Sequence, residues 1–343
     1  MINTQDPEIS FAINSVRRAS LLVKQVQTEM VGAALTKMDR SPVTVADFAA
    51  QALVAYLLYK EFPEDLLVAE EDAGSLREQL GSAGATLEQV TGFVSRAVGP
   101  MDPDEVCDWI DRGAANPGGR FWTLDPIDGT KGFLRGDQYA VALALLVDGE
   151  VQIGVLGCPN LSLSITTDET TPVPSLQPDM GGSGVLVVAA HGQGSWATHM
   201  DQPGEYGRLS VSGCTEAAEA RLLRSVESGH TNVGQIEEFS RRLELQAKPV
   251  AMDSQAKYAV LASGGGELLV RLLSPDKPNY KEKIWDHAAG ALILHEAGGQ
   301  ISDLEGKSLD FTAGRTLANN RGLLASNGSL HQAALQALEQ TVA

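Results

Sequence analysis

Two apolar runs, YAVALALLV (139–147) and EVQIGVLG (150–157), are separated only by Asp148-Gly149. Asp-Gly suits the positive-φ positions of a type I′ turn, so the pair reads as an antiparallel hairpin. FWTLD (121–125), just upstream, reads as a further strand. A hairpin of this kind, set among long helical patterns, argues against a plain doubly wound parallel sheet and for layered, mixed packing. The expected fold class is therefore α/β in the layered α+β sense.

The helical patterns are clear at both ends. Ile9, Ile13, Val16, Ser20, Val23 and Val26 recur at three- and four-residue steps, which predicts a helix over 9–30. A second helix is expected after Thr44, running through ADFAAQALVAYLLYKEF to Pro63. LLVAEED (66–72) reads as a short buried strand ending in acids, VLVVAA (185–190) as a strand, and 287–297 as a helix stopped by Gly298-Gly299. Between 73 and 120 two helical pieces precede the loop GAANPGGR. Residues 166–184 are polar and rich in Pro, Gly and Thr, so they are the expected boundary between two lobes, 1–165 and 185–343.

With 343 residues the chain can build two lobes with real cores. Its net charge of −18 disfavours nonspecific contact with nucleic acid or an anionic membrane. An anionic substrate would need a local basic patch or bound cations. Cys107, Cys158 and Cys214 form no CxxC pair, which argues against a disulfide framework or a zinc site. The polar N-terminus carries no signal-peptide pattern, and apolar runs such as ALVAYLLY fall short of a bilayer span. The expectation is a cytoplasmic monomer without membrane or nucleic-acid partners.

Carboxylates recur at element ends: Asp47, Glu70 with Glu71, Asp125 with Asp128, and Asp286. Each has an ordinary explanation. Asp47 could belong to a capping-box-like helix start, Glu70 to Asp72 to a solvated turn, Asp125 and Asp128 to a turn around Pro126, and Asp286 to an N-cap. Together they read differently. Glu70 and Asp125 both end apolar strands, where an unpaired ion costs several kcal/mol. No Lys or Arg lies close to Glu70 in sequence, and no His or Cys lies in these segments. Hard oxygen ligands of this kind suit Mg²⁺, in more than one copy. Gly129 lets backbone N–H groups approach a phosphate and Thr130 adds a hydroxyl, so the residues alone point to Mg²⁺-dependent phosphoryl transfer or hydrolysis.

DPIDGT, with the upstream EED and downstream WDHAAG, resembles the lithium-sensitive, magnesium-dependent inositol monophosphatase superfamily. SPVTVADFAAQ (41–51), the stretch 122–161, DSQAKYAVLASG (253–264) and YKEKIWDHAAGALILHEAGG (280–299) are similar to its 3′(2′),5′-bisphosphate nucleotidase branch. The resemblance spans 41–324, weakly in 73–120 and 166–220. It implies an α/β/α/β/α sandwich and hydrolysis of the 3′-phosphate of adenosine 3′,5′-bisphosphate to AMP, with the sulfated analogue as a further substrate. By position it implies metal ligands at Glu70, Asp125, the Ile127 carbonyl, Asp128 and Asp286, for roughly two or three Mg²⁺ ions, with inhibition by Li⁺ and Ca²⁺. Thr130, hydrogen-bonded to Asp47, would activate water, and the amides of Gly129 and Thr130 would meet the phosphate. Nucleotide contacts map to His230, Ser254, Lys257 and Arg271. Ala69 stands where many members carry Gly. The segment 254–283 is net basic in an acidic chain, with Lys257, Arg271, Lys277, Lys281 and Lys283 against Glu267, Asp276 and Glu282. That suits a second phosphate. His287 and His295, eight residues apart, read as structural. The alternatives are an inositol phosphate or sugar bisphosphate phosphatase of the same fold, or a non-catalytic sensor of nucleotide or metal.

Overall fold

A computed structural model describes residues 1–31, 41–78, 85–166, 173–178, 182–226, 233–273 and 279–342. The hairpin forms as its turn requires: β3 (Ala140–Val147) and β4 (Glu150–Cys158) pair antiparallel, with Asp148 at φ 51° and Gly149 at φ 83°. Flanking them are β1 (Leu66–Ala69) and β2 (Arg120–Asp128) on one side, and β7 (Val185–Ala190), β8 (Gly194–His199) and β9 (Gly207–Arg208) on the other. The resulting seven-stranded sheet has the order β1-β2-β3-β4-β7-β8-β9. β5 (Leu161–Thr166) and β6 (Val173–Pro178) form a separate two-stranded ribbon. A five-stranded sheet follows, in the order β11-β10-β12-β14-β13. Its strands are β10 (Leu222–Arg224), β11 (Val250–Ala251), β12 (Leu268–Arg271), β13 (Gln300–Ser302) and β14 (Leu323–Ser326).

Helices fill the layers between and outside the sheets. α1 (Pro7–Val26) and α2 (Ser41–Glu61) cover one face of the large sheet, with α3 (Ala85–Val98) and α4 (Pro103–Asp111) packed against α2. α5 (Thr130–Arg135) is a short helix directly after β2. α6 (Val233–Arg242) lies on the outer face of the small sheet. α7 (Ala256–Ala262) and α8 (Ala288–Glu296) sit between the sheets, and α9 (His331–Val342) joins α6 outside. The order is therefore α/β/α/β/α, as the resemblance implies. Leu222, Leu268 and Val270 face the outer helices, whereas Leu223 and Leu269 face α7 and α8, the two-residue alternation of half-buried strands.

Several elements differ from the sequence expectation. α1 starts at Pro7, because Asp6 Oδ1 accepts from the Glu8 and Ile9 amides at 2.9 and 3.2 Å and Pro7 fits the first turn. It ends at Val26, and the segment after it, Gln27–Val31, is π-helical. α2 begins at Ser41, not after Thr44, so Asp47 lies inside the helix rather than at its cap. It is also long and apolar enough to cross a bilayer, which the shorter runs did not reveal; 83% of that stretch is buried in this protein, as a core helix would be. β1 stops at Ala69, before the acids. The 166–184 boundary does not separate the two sheets. β7 pairs with β4 over six residues, so 185–208 belongs with the N-terminal sheet. Within that boundary, 167–172 and 179–181 lie outside the described residues, as do Lys277 and His230.

Candidate active site

Sheet pairing brings the distant acids together. β1 runs parallel to β2 with Ala69 opposite Leu124, so Glu70 emerges beside Asp125. β2 then bulges: Asp125 pairs with Ala142 and Asp128 with Ala140, leaving one extra residue on the β2 side. A bulge tolerates Pro126, bends the strand and re-aims its side chains. Gly129 follows at φ 89°, and a Cβ there would meet the Ser254 Cβ at 2.8 Å, so glycine is required both for its dihedral and for close approach. Ser254 itself holds φ 67°, a strained value for a non-glycine residue. Asp286 precedes α8, whose N-cap is His287 without a side-chain capping bond, so the acid is not spent on the helix end.

The five acids act on one another. Asp125 is 2% exposed, and its Oδ1 is buried with no hydrogen-bond partner. Burial first, then Glu70, Asp128, Asp286 and Asp47, pushes its carboxyl well above the ordinary range. Asp47 is raised well above its ordinary value by burial, then by Glu71 and Glu70. Glu70 keeps solvent-facing surface, yet the protein atoms packed behind it desolvate it. With Glu71 and Asp128 they raise its pKa to about 7, and Lys283 and a side-chain hydrogen bond with Asp125 offset only part of this. Asp286 is likewise raised to about 7 by burial, with Asp128 and Glu282 adding and His287 and Arg271 opposing. Oxygen donors that raise one another, with a buried oxygen left unpaired, fit a hard divalent cation. The Ile127 residue is buried within the bulge between Asp125 and Asp128.

Linkage gives this electrostatic conflict a sign. Glu70 and Asp286 have folded-state pKa values near 7, above their unfolded values. The folded chain therefore holds protons that the unfolded chain has lost, and stability falls as pH rises toward 7. His331, lowered to about 4 by burial, works in the opposite direction, but its contribution is complete once its ordinary value of 6.5 is passed. Metal-free protein is thus expected to melt at a lower temperature at pH 8 than at pH 6.5, with millimolar Mg²⁺ closing the gap. Calorimetry in a chelator checks this; a flat or rising Tm across that interval contradicts it.

The acids border a cleft of about 480 Å³ lined by Asp128, Gly129, Thr130, Ser254, Lys257, Arg271 and Asp286, among others. Glu70, Asp125 and Asp47 lie outside its lining; Asp125 interacts electrostatically with Asp128 and Asp286, which line it. Lys257 sits at the second position of α7, its Nζ 3.4 Å from the Met252 carbonyl; burial lowers its pKa to about 8, with Asp128 opposing the fall. Arg271 ends β12 and pairs with Glu282 at 3.0 Å. Tyr280, 39% exposed, forms part of the rim. The expected Thr130–Asp47 hydrogen bond is not formed: Thr130 is an exposed first residue of α5 and Asp47 is buried in α2.

Other supporting residues escaped sequence reasoning. Gln51, fully buried on α2, accepts from the Glu71 amide at 3.0 Å and donates to the Glu71 and Ile110 carbonyls at 2.7 and 2.8 Å, which clamps the loop after Glu70. The Gln255 amide donates to Asp128 Oδ2 at 2.6 Å. Arg315 donates to the Ala69, Gly113 and Ala115 carbonyls and stacks on Trp285, tying the β1 end to the segment before Asp286. Asp253 accepts from Arg135 and from the Ser225 hydroxyl. Gln255 and Asp253 stand inside the DSQAKY string and Gln51 ends SPVTVADFAAQ, which were the available signals; Arg315 left none.

The Inositol monophosphatase family model matches residues 4–343. A 3′(2′),5′-bisphosphate nucleotidase of Emericella nidulans is 40% identical, covering 96% of this chain and 96% of its own length. One from Schizosaccharomyces pombe is also 40% identical, covering 97% and 95%. Among solved structures, an inositol monophosphatase of Thermotoga maritima superposes with a TM-score of 0.60 at 20% identity, covering 98% of both chains, which supports the fold. The family is metal-dependent, in keeping with an acid cluster that carries too few counter-charges of its own. Matched from end to end, and sharing two residues in five with nucleotidases of equal length, this chain belongs to the inositol monophosphatase family, on its bisphosphate nucleotidase branch.

Proposed function

We propose that the chain hydrolyses the 3′-phosphate of adenosine 3′,5′-bisphosphate to AMP and phosphate, with Mg²⁺ as the activating ion and Li⁺ and Ca²⁺ as inhibitors. One observation carries this reading: a single cleft holds Asp128 and Asp286 from the acid cluster together with Lys257 and Arg271. A nucleotide with two phosphates uses both sets of groups, one phosphate at the acids and the other in charge-assisted hydrogen bonds to the cations. The 40% identical relatives named as bisphosphate nucleotidases support the same substrate class.

Glu70, Asp125, the Ile127 carbonyl, Asp128 and Asp286 would hold the cations. Bound there, divalent ions neutralise phosphoryl oxygens, make water nucleophilic at neutral pH and stabilise the leaving oxygen. Asp47 is the proton acceptor, a buried carboxylate in α2 within electrostatic reach of Glu70 and Glu71. Thr130 orients the attacking water, a role that requires its exposed hydroxyl to turn toward Asp47. Gly129, which keeps the backbone close to Ser254, leaves room for the phosphate at its own amide and that of Thr130. Ser254, Lys257 and Arg271 face the nucleotide, and His230 completes the set by position. The working form is a cytoplasmic monomer.

Phosphate release with Mg²⁺ tests the reading. Adenosine 3′,5′-bisphosphate is expected to be cleaved far faster than inositol 1-phosphate. Lys257→Ala should raise KM about tenfold for the bisphosphate and little for adenosine 3′-monophosphate, because a hydrogen bond to a charged group is lost only with the former. Preference for inositol 1-phosphate, or equal KM changes for both nucleotides, contradicts it.

A further inference from the structure

Arg271 stands among three carboxylates, and only one holds it. Its Nη2 lies 3.0 Å from Glu282 Oε2, and Glu282 is 5% exposed. Burial works against the Arg271 charge, but Glu282, Asp286 and Asp128 together outweigh it. Carboxylate oxygens of Glu282 and Asp286 lie within 4.8 Å of each other. Arg271, Asp128 and Asp286 all line the same cleft. A guanidinium that let go of Glu282 would need to swing only a few ångströms to fork onto Asp286, the geometry arginine favours.

Glu282 is itself held in place. His287 is 1% exposed and engages both ring nitrogens: Nε2 lies 3.3 Å from Glu282 Oε2 and Nδ1 lies 2.9 Å from the Tyr258 hydroxyl. Arg271 first among the favourable contacts, then His287, overcomes burial and holds the Glu282 carboxyl at about 2, so it is ionised and can only accept. Nε2 therefore carries the hydrogen that points at Glu282. Burial keeps the Tyr258 hydroxyl protonated, and it donates to Nδ1. The trio Glu282, Asp286 and His287 has the spacing of a cation site, but Glu282 is committed to Arg271 and both His287 nitrogens are engaged.

We propose that Glu282 is a positioning residue that sequesters Arg271 away from Asp286 and Asp128. Those carboxylates are thereby left for divalent cations, and the remaining Arg271 N–H groups for the substrate. Without Glu282, Arg271 becomes an internal competitor for the cation site. This rests on the reading that Asp128 and Asp286 hold cations.

Mn²⁺ binding to the full chain without nucleotide, followed by calorimetry, separates the possibilities. Glu282→Gln is expected to weaken Mn²⁺ binding about tenfold or more, in the range for residues that orient metal ligands. Adding Arg271→Met to Glu282→Gln should restore most of that affinity, because the competitor is gone; a merely structural loss would not be rescued by a second truncation. Should Glu282→Gln fail to fold, the neutral double variant and Glu282→Asp, which keeps the charge but shortens the reach, carry the test. The double variant should then bind Mn²⁺ close to wild type, and Glu282→Asp more weakly. Wild-type affinity in Glu282→Gln or in Glu282→Asp, or a double variant no better than the single one, overturns the proposal. A wild-type chain that binds no Mn²⁺ defeats the cation reading along with it, whereas a wild type that binds and an equally competent Glu282→Gln defeats this inference alone.

Discussion

Asp47→Asn is expected to lower turnover by roughly 10²–10⁴-fold, the range for losing a positioned base, while leaving Mn²⁺ and nucleotide binding near wild type. The amide keeps the shape of the carboxyl within α2, where Asp47 is 7% exposed. What it removes is the proposed proton acceptor and one acid facing Glu71 and Glu70. The metal-free variant should therefore be at least as stable as the parent. Rapid-mix turnover assays with matched calorimetric titrations check both halves. Near-normal turnover would remove Asp47 from the chemistry, and a parallel loss of metal binding would make it a ligand instead.

Asp125→Asn is expected to abolish detectable turnover and metal-dependent stabilisation, yet raise the Tm of the metal-free protein by at least about 2 °C. Asp125 is the residue on which the other four acids converge, and its buried Oδ1 has no partner in the protein. Its charge is a liability without a cation and a requirement with one, the usual tension between stability and function at an active site. The neutral amide relieves the conflict but offers a weaker ligand. Melting curves with chelator and with Mg²⁺ reveal the pattern: parent rising strongly with metal, variant higher without it and unmoved by it. A variant less stable than the parent in chelator would mean that the side-chain hydrogen bond between Asp125 and Glu70 outweighs the repulsion that the amide relieves.

The parts of this site legible in the sequence are those governed by short-range rules. Asp148-Gly149 places the hairpin, Pro126 within DPID accompanies the bulge, and Gly129 marks the tight approach to Ser254. The acids at the ends of apolar stretches were visible as an energetic anomaly before any fold was known. Their meeting was not, because the parallel β1–β2 pairing that sets Glu70 beside Asp125 joins segments about fifty residues apart, with no turn signal between them. The same applies to the edge of the large sheet: β7–β9 look like the start of a second lobe until β4 is found pairing with β7. A helix start after Thr44 makes Asp47 resemble a cap; the actual start at Ser41-Pro42 carries it into the buried interior of the helix. The contacts of Gln51 and Arg315 and those linking Arg271, Glu282, His287 and Tyr258 are invisible for a common reason. Their partners are main-chain carbonyls or buried polar groups brought close by tertiary packing, and no local pattern encodes them.

On the proposed function, acids from α2, the β1 end, the β2 bulge and the α8 entry form one cage that divalent cations complete. Anomalous diffraction from a crystal soaked in Mn²⁺ tests it directly. Anomalous peaks are expected among the carboxylates of Glu70, Asp125, Asp128 and Asp286, with one of them taking the unpartnered Oδ1 of Asp125. A soaked crystal with no peak inside that cluster, or with its only peak on surface acids elsewhere, would contradict it.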